Sequence, residues 1–137
     1  MTERRLFLIQ ALVLAVVAAV HIAALQLYLY WYFPWLDLFV HLFGGMWAAL
    51  IVTWLMRLFK REPTLISLLV AVILIGIAWE IFEVAIGMTY YEENFVLDTA
   101  LDLLMDTMGG IIGYFIAPRL KTRDTITDHG TTQSHSS

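Results

Sequence analysis

The sequence predicts an all-α, polytopic membrane protein built as a four-helix bundle, and three observations carry that reading. The 137 residues are 61% hydrophobic and only 15% charged, with a mean hydropathy of +0.78. A soluble domain carries roughly 45–50% apolar and about 25% charged residues, and a small fold keeps too much surface exposed to hide such a surplus. Four stretches also reach the roughly 20 apolar residues that a helix needs to cross a bilayer. Finally, all eight Lys and Arg residues fall at span ends that four crossings bring to one side.

The first span runs from about Leu6 to Tyr28 and gives way to an aromatic cluster, Tyr28 to Trp35, which Pro34 interrupts. The second runs from about Leu36 to Phe59 and the third from about Thr64 to Gly87. The fourth, from about Asp98 to Ala117, is the least apolar and precedes Pro118. Residues 1–118 thus form the transmembrane domain. Residues 119–137, Ser/Thr-rich and without aromatics, read as a disordered tail. His129 and His135 fall in that tail and read as incidental. Arg4-Arg5-Leu6-Phe7-Leu8 has a twin-arginine look, but the apolar run outlasts a signal-type core and no clear A-x-A site ends it, so an uncleaved first helix is expected.

Arg4 and Arg5 precede the first span, Arg57, Lys60 and Arg61 follow the second, and Arg119, Lys121 and Arg123 follow the fourth. The positive-inside rule assigns that side to the cytoplasm, which places both termini inside a plasma (inner) membrane. The opposite loops hold Glu92 and Glu93, with Asp37 and Asp98 at their borders, and the Tyr/Trp cluster suits an interfacial belt. The absence of cysteine excludes disulfides, thiol redox centres and Cys-type zinc or iron–sulfur sites. A net charge of −4 gives no reason to expect nucleic acid.

The polar residues inside the spans are unevenly placed. The first span has His21 and Gln26, the second Asp37 and His41, the third Glu80 and Glu83, the fourth Asp98, Asp102 and Asp106. At about 1.5 Å per residue, all lie in the same half of the bilayer, with His41 about 6–8 Å below its edge. At about 100° per residue, Asp98, Asp102, Asp106, Gly109 and Gly113 share one face of the fourth span. Glu80, Glu83, Gly76 and Gly87 share a face of the third, and Asp37, His41, Gly44 and Ala48 a face of the second. Small residues beside the carboxylates let helices approach closely, so the stripes are expected to face one another.

An intramembrane Asp costs about 2.5–3.5 kcal/mol on insertion scales, and no Lys or Arg lies deep in the spans to offset it. The remaining partners are the histidines, water, shared protons or a bound cation, because close carboxylates cannot all ionise alone. A divalent metal fits best. Asp37, His41, Glu80, Glu83, Asp102 and Asp106 supply oxygen and imidazole donors at i, i+3 and i, i+4 spacings, enough for one or two ions. Zn, Mn or Fe suits a histidine ligand better than Mg or Ca, although the di-iron E-x-x-H pattern is absent. The bland alternatives are a His41 that bonds Asp37, and Glu80 and Glu83 as protonated acids bonded to neighbouring helices. For Asp98 the bland role is an N-cap, and for His21 a packed ring. Trp47, Trp54 and Trp79 read as packing or lipid-facing residues, and the Gly pairs as packing elements.

Leu36 to Gly45 aligns without gaps on Leu101 to Gly110, with five of ten positions identical and His41 opposite Asp106. Two readings stand: a pair of parallel helix-hairpin repeats about an axis along the membrane normal, which would bring Asp37/His41 and Asp102/Asp106 together, and chance similarity in an apolar alphabet.

Asp37-x-x-x-His41 before Gly44, Trp79-Glu80-x-x-Glu83, and Asp98-Thr99-x-x-Asp102 before Gly109 resemble the signature of the YjdF-type bacterial inner-membrane family. The D-x-x-x-H helix is more distantly similar to VanZ-like membrane proteins. The resemblance covers about residues 36–113 and implies that Asp37, His41, Glu80, Glu83, Asp98 and Asp102 are the family's polar positions. Asp106 rests on the repeat alone. Family members are often longer, and the resemblance implies no particular reaction.

Three functions fit these residues. One is a metal-dependent membrane enzyme hydrolysing a lipid or another outer-leaflet substrate, with a metal-activated water as nucleophile and Glu83 as catalytic general base. Another is an ion or proton binder or transporter, for which four short helices predict a homo-oligomer. The third is a structural protein whose acids only hydrogen-bond. No Ser or Cys nucleophile constellation appears; the only spanning serine is Ser67.

Overall fold

Proline, glycine and a capping pair decide where the helices start and stop in the computed structural model, which describes residues 2–87 and 94–119. Among these there are five helices and no strand: α1 (Thr2–Gln26), α2 (Leu29–Tyr32), α3 (Trp35–Leu58), α4 (Leu65–Ile86) and α5 (Phe95–Arg119). Four are long and apolar enough to cross a membrane, as the composition predicts. The single-turn α2 carries the aromatic cluster. Its flanking residue Tyr28 adopts a left-handed backbone with φ 55°, and Pro34 caps α3. Tyr28, Trp31 and Tyr32 are largely exposed, as a belt at the membrane surface requires.

At the opposite end Thr64 caps α4 reciprocally. Its hydroxyl accepts from the Ser67 backbone N–H at 3.2 Å, and the Ser67 hydroxyl accepts from the Thr64 N–H at 3.1 Å. Gly87 closes α4 at φ 79°, a conformation glycine adopts without strain. Helix α5 begins at Phe95, three residues before Asp98. Asp98 is therefore not its N-cap; it lies in the first turn, where a carboxylate meets the positive end of the helix dipole. Of the expected tail, Arg119 ends α5; Glu92, Glu93 and residues 120–137, with Lys121, Arg123, His129 and His135, lie outside the described residues.

Leu6, Leu50 and Ala117 pack together, which sets the start of α1 beside the ends of α3 and α5. The basic residues of those three helix ends accordingly share one end of the bundle. Helix α1 is further tied to α3 by the Trp47 indole, which donates to Gln10 Oε1 at 2.9 Å, so Trp47 does more than fill space.

The closest packing is between α3 and α5, which run in the same direction. Gly109 lies against the backbone of Leu42 and Met46, Gly113 against Met46 and Ala49, and Gly45 against the backbone of Asp106. The two similar segments of the sequence therefore face each other, as the repeat reading requires. The close approach on α3 is made by Gly45, whereas a β-carbon at Gly44 would lie an unstrained 3.9 Å from Asp106 Oδ1. Helix α4 then packs on both, with Leu68 and Val72 against Ala48 and Ala49.

A side chain at Gly45 or Gly109 would collide with main chain that cannot yield, whereas one at Gly110 meets only side chains of Val72 and Leu69 at 3.2–3.4 Å. Gly45→Leu and Gly109→Leu are expected to destabilise the protein by about 1–3 kcal/mol each. Gly110→Ala should stay within about 1 kcal/mol of the parent, because helix propensity offsets mild crowding. Unfolding of the purified variants in detergent checks the order.

Candidate functional site

His41 stands at the centre of the polar stripes. It comes from the second turn of α3, is 4% exposed, and has a carboxylate facing each ring nitrogen. Nδ1 lies 3.4 Å from Asp106 Oδ2, and since an ionised carboxylate can only accept, Asp106 in that form draws the ring proton to Nδ1. Nε2 points the other way, 3.9 Å from Glu80 Oε1 and 3.9 Å from Asp102 Oδ1. These three atoms, His41 Nε2, Glu80 Oε1 and Asp102 Oδ1, are buried and lack a hydrogen-bond partner.

Neighbouring oxygens of Glu80 and Glu83 are held from outside the cluster. Thr99 on α5 donates its hydroxyl to Glu80 Oε2 at 2.9 Å, and Trp79 donates its indole N–H to Glu83 Oε1 at 2.9 Å. Each contact holds a carboxylate by one oxygen. Glu83 offers an oxygen that, with His41 and Glu80, falls within a 4.8 Å span, and Asp37 does the same with His41 and Asp102. Two donor groups from α3, α4 and α5 thus share one imidazole.

Asp106 occupies a different place from that expected of a ligand. It is nearly buried, on the Nδ1 side of the ring and away from Nε2. A carboxylate there orients the imidazole and keeps the Nε2 lone pair free, the arrangement found behind metal-ligating histidines. Gly76 makes room for it, since a β-carbon at that position would come within 2.5 Å of Asp106 Oδ2.

Asp37, His41, Glu80, Glu83, Asp102 and Asp106 are therefore brought together, Asp37 being the most exposed of them. His41 bonds Asp106 and not Asp37. Asp98 is half-buried and outside both donor groups. His21 is also outside them; its Nδ1 is 2.7 Å from the Tyr30 hydroxyl and its ring meets Trp79 edge-on at 5.5 Å. Burial, with the Asp37 and Glu83 carboxylates nearby, holds the Tyr30 phenol above its ordinary range, so Tyr30 stays a neutral donor at the membrane edge. Trp79, Thr99 and Tyr30 were not singled out as functional residues by pattern alone. The signals for the first two were their spacings, Trp79 one turn before Glu83 and Thr99 beside Asp98.

Facing carboxylates in a water-poor interior cannot all be charged without protons or a cation. Three unpartnered donors of mixed N and O type suit a cation chemically. Two ligands about 2.1 Å from a tetrahedral ion lie roughly 3.4 Å apart, so the 3.9 Å separations close by small side-chain rotations.

The geometry of His41 predicts a spectroscopic outcome. Histidine-labelled protein should show a His41 signal with Nδ1 protonated, assigned by its loss in His41→Ala. Asp106→Ala should shift it toward a mixture of tautomers, and Gly76→Ala should move it the same way by displacing Asp106. A His41 spectrum that neither substitution changes would refute the orienting role.

The family comparison agrees with the fold. Residues 2–123 match the model of the family described as "Predicted membrane protein (DUF2238)", consistent with the YjdF-type resemblance. No curated protein and no solved structure matches the chain. The chain belongs to this DUF2238 family of predicted membrane proteins.

Proposed function

We propose that this DUF2238 protein is a divalent-metal-dependent membrane enzyme that hydrolyses a lipid or similar substrate at one face of the bilayer. The observation that carries the reading is the trio of buried, unpartnered atoms His41 Nε2, Glu80 Oε1 and Asp102 Oδ1. An acid cluster serving only as helix–helix glue has no reason to leave a buried imidazole nitrogen and the two carboxylate oxygens beside it unpaired, since each such group costs about 1–3 kcal/mol.

An ion of the Zn, Mn or Fe type would be held at His41 by Glu80 and Asp102, with Asp37 and Glu83 beside them. Such an ion polarises a scissile carbonyl or phosphoryl group and makes water acidic enough to attack near neutral pH. Glu83 is the general base. It takes the water proton as the oxygen bonds to the reacting centre, and returns it to the leaving group as that bond breaks. Its Oε1 is steadied by Trp79, so the carboxylate keeps its place as the proton moves. Asp106 keeps the imidazole turned toward the ion.

Transport across the bilayer is less well supported. Toward the basic end, the interior beyond the cluster is filled by Ala48, Ala49, Leu50, Leu68 and Val72. The Thr53 hydroxyl in that half bonds back to Ala49 O at 2.8 Å, so it offers no relay. The basic residues at that end support cytoplasmic termini in an inner (plasma) membrane, a reading in which the cluster lies toward the outer side.

Metal analysis of chelator-free, detergent-purified protein tests the reading. Near-stoichiometric metal is expected in the parent and in Glu83→Gln, and its loss in His41→Ala, Glu80→Gln and Asp102→Asn. Asp106→Asn should weaken affinity by about 10–100-fold, as loss of a residue behind a ligand does. A parent that carries no metal and cannot be refilled with Zn, Mn or Fe would overturn the proposal and leave protons shared among the carboxylates.

A further inference from the structure

Two cavities lie along α1, and they differ in one respect that bears on substrate. The first, of about 310 Å³, is a half-open cavity bounded by α1, α3 and α4 with Asp106 of α5, and His21, His41, Trp79 and Asp106 line it together with apolar side chains. The second, of about 420 Å³, lies between α1 and α3 and is lined by apolar residues such as Val16, Phe39 and Phe43, with no titratable group. A groove of the second kind is what any lipid-facing surface offers. A cavity of the first kind joins a hydrocarbon-compatible wall to the polar cluster.

Its position along the membrane is specific. Leu14, Ala48 and Val72 lie near the middles of their spans, whereas His21, His41 and Trp79 lie nearer the end that carries the cluster. Leu14 and Ile75 on its walls are 41% and 38% exposed, so the cavity opens sideways to the bilayer. Apolar walls exclude water, and the medium at the opening is acyl chain. A lipid seated there has its chain toward the middle of the membrane and its polar group at the level of Asp37, His41 and Glu83, the orientation it already has in its leaflet. The size is at the lower end of ligand sites, which run from about 300 to 1,000 Å³, and suits one chain.

We propose that this cavity is the hydrocarbon-chain subsite for a membrane lipid whose polar group lies at the His41 cluster. The inference deepens the enzymatic reading by naming the substrate class, and it rests on that reading for the role of the polar group alone.

The test uses the full chain in lipid nanodiscs containing a phosphatidylglycerol with a diazirine on one acyl chain, and in parallel an alkane carrying the same diazirine. Cross-links are mapped by mass spectrometry, and the metal content of each sample is measured. With rising probe fraction, phosphatidylglycerol labelling around Ala18 and Ile75 should saturate, while labelling around Phe39 and Phe43 in the second groove rises linearly. The alkane should rise linearly at both. Ala18→Trp and, separately, Ile75→Trp should reduce the saturable labelling to the groove level and leave the groove and the metal content unchanged.

Linear phosphatidylglycerol labelling at both places would overturn the subsite. Equal saturation by the alkane would overturn the part played by the polar group. Saturable phosphatidylglycerol labelling in a protein without metal would uphold the subsite and remove the metal from the proposed function. Linear labelling in a metal-loaded protein would do the reverse.

Discussion

Helices α3 and α5 meet backbone to backbone, and the position of every polar group in the cluster follows from that contact. Within lipid there is no hydrophobic gain in bringing two helices together, so close packing must do the work, and small residues make it possible. Gly45 and Gly109 remove the side chains that would hold the axes apart, and Gly113 extends the seam toward Ala49. With the axes this close, His41 on one helix falls between Asp102 and Asp106 on the other. Helix α4 can then dock only where it has no side chain opposite Asp106, which is Gly76. Docked there, it delivers Glu80 and Glu83 to the remaining side of the ring.

The hydrogen bonds around the cluster leave its centre free. Thr99 holds one oxygen of Glu80, Trp79 holds one oxygen of Glu83, and Asp106 holds one nitrogen of His41. Each bond fixes a side chain by its outward atom and aims the other atom inward. A hydrogen-bonded core usually satisfies its buried polar atoms. Here His41 Nε2 lies 3.9 Å from both Glu80 Oε1 and Asp102 Oδ1, beyond hydrogen-bond reach, while His41 and Glu80 are each held from outside. That division between occupied outer atoms and unoccupied inner ones is the physical signature of a preorganised site, because the supporting contacts are in place before any ligand arrives.

Most of the fold and the membership of the cluster were legible in the sequence, because both depend on periodicity. Four apolar runs with basic flanks yield four spans, and a 100° advance per residue puts Asp102, Asp106, Gly109 and Gly113 on one face whatever the partner is. Periodicity has no access to which atom faces which. Asp102 and Asp106 are one turn apart on the same stripe, yet they address opposite nitrogens of His41, a distinction set by ring orientation and by the space at Gly76. The same limit hid the adjacent glycines, since Gly44 and Gly45 differ by 100° and only the crossing geometry chooses Gly45. Trp79 read as a packing residue because its ring is large and apolar. Its N–H is a single directed donor, and only the i, i+4 relation to Glu83 hinted at its use. The N-cap reading of Asp98, one of two the sequence left open, fails because Asn94 is an equally good cap residue, and the helix starts directly after it at Phe95.

The asymmetry of the interior bears on what such a cluster can do. Every carboxylate within the four spans and both membrane-embedded histidines sit in the half of the bundle away from the basic ends, while the other half is closed by Ala48, Ala49, Leu50, Leu68 and Val72. A pump or exchanger needs its site to be reached in turn from both sides, which requires the closed half to open. The closed half here is built on glycine-to-backbone contacts along α3 and α5, and interfaces of that kind are stiff, since sliding either helix drives main chain into main chain. Chemistry at one face needs no such motion. It needs a site reached from one side, a polar centre set before the substrate arrives, and a way for an apolar substrate to approach from the lipid. The cluster meets the first two through its position and its outer hydrogen bonds, and the cavity beside α1 meets the third through its opening between Leu14 and Ile75.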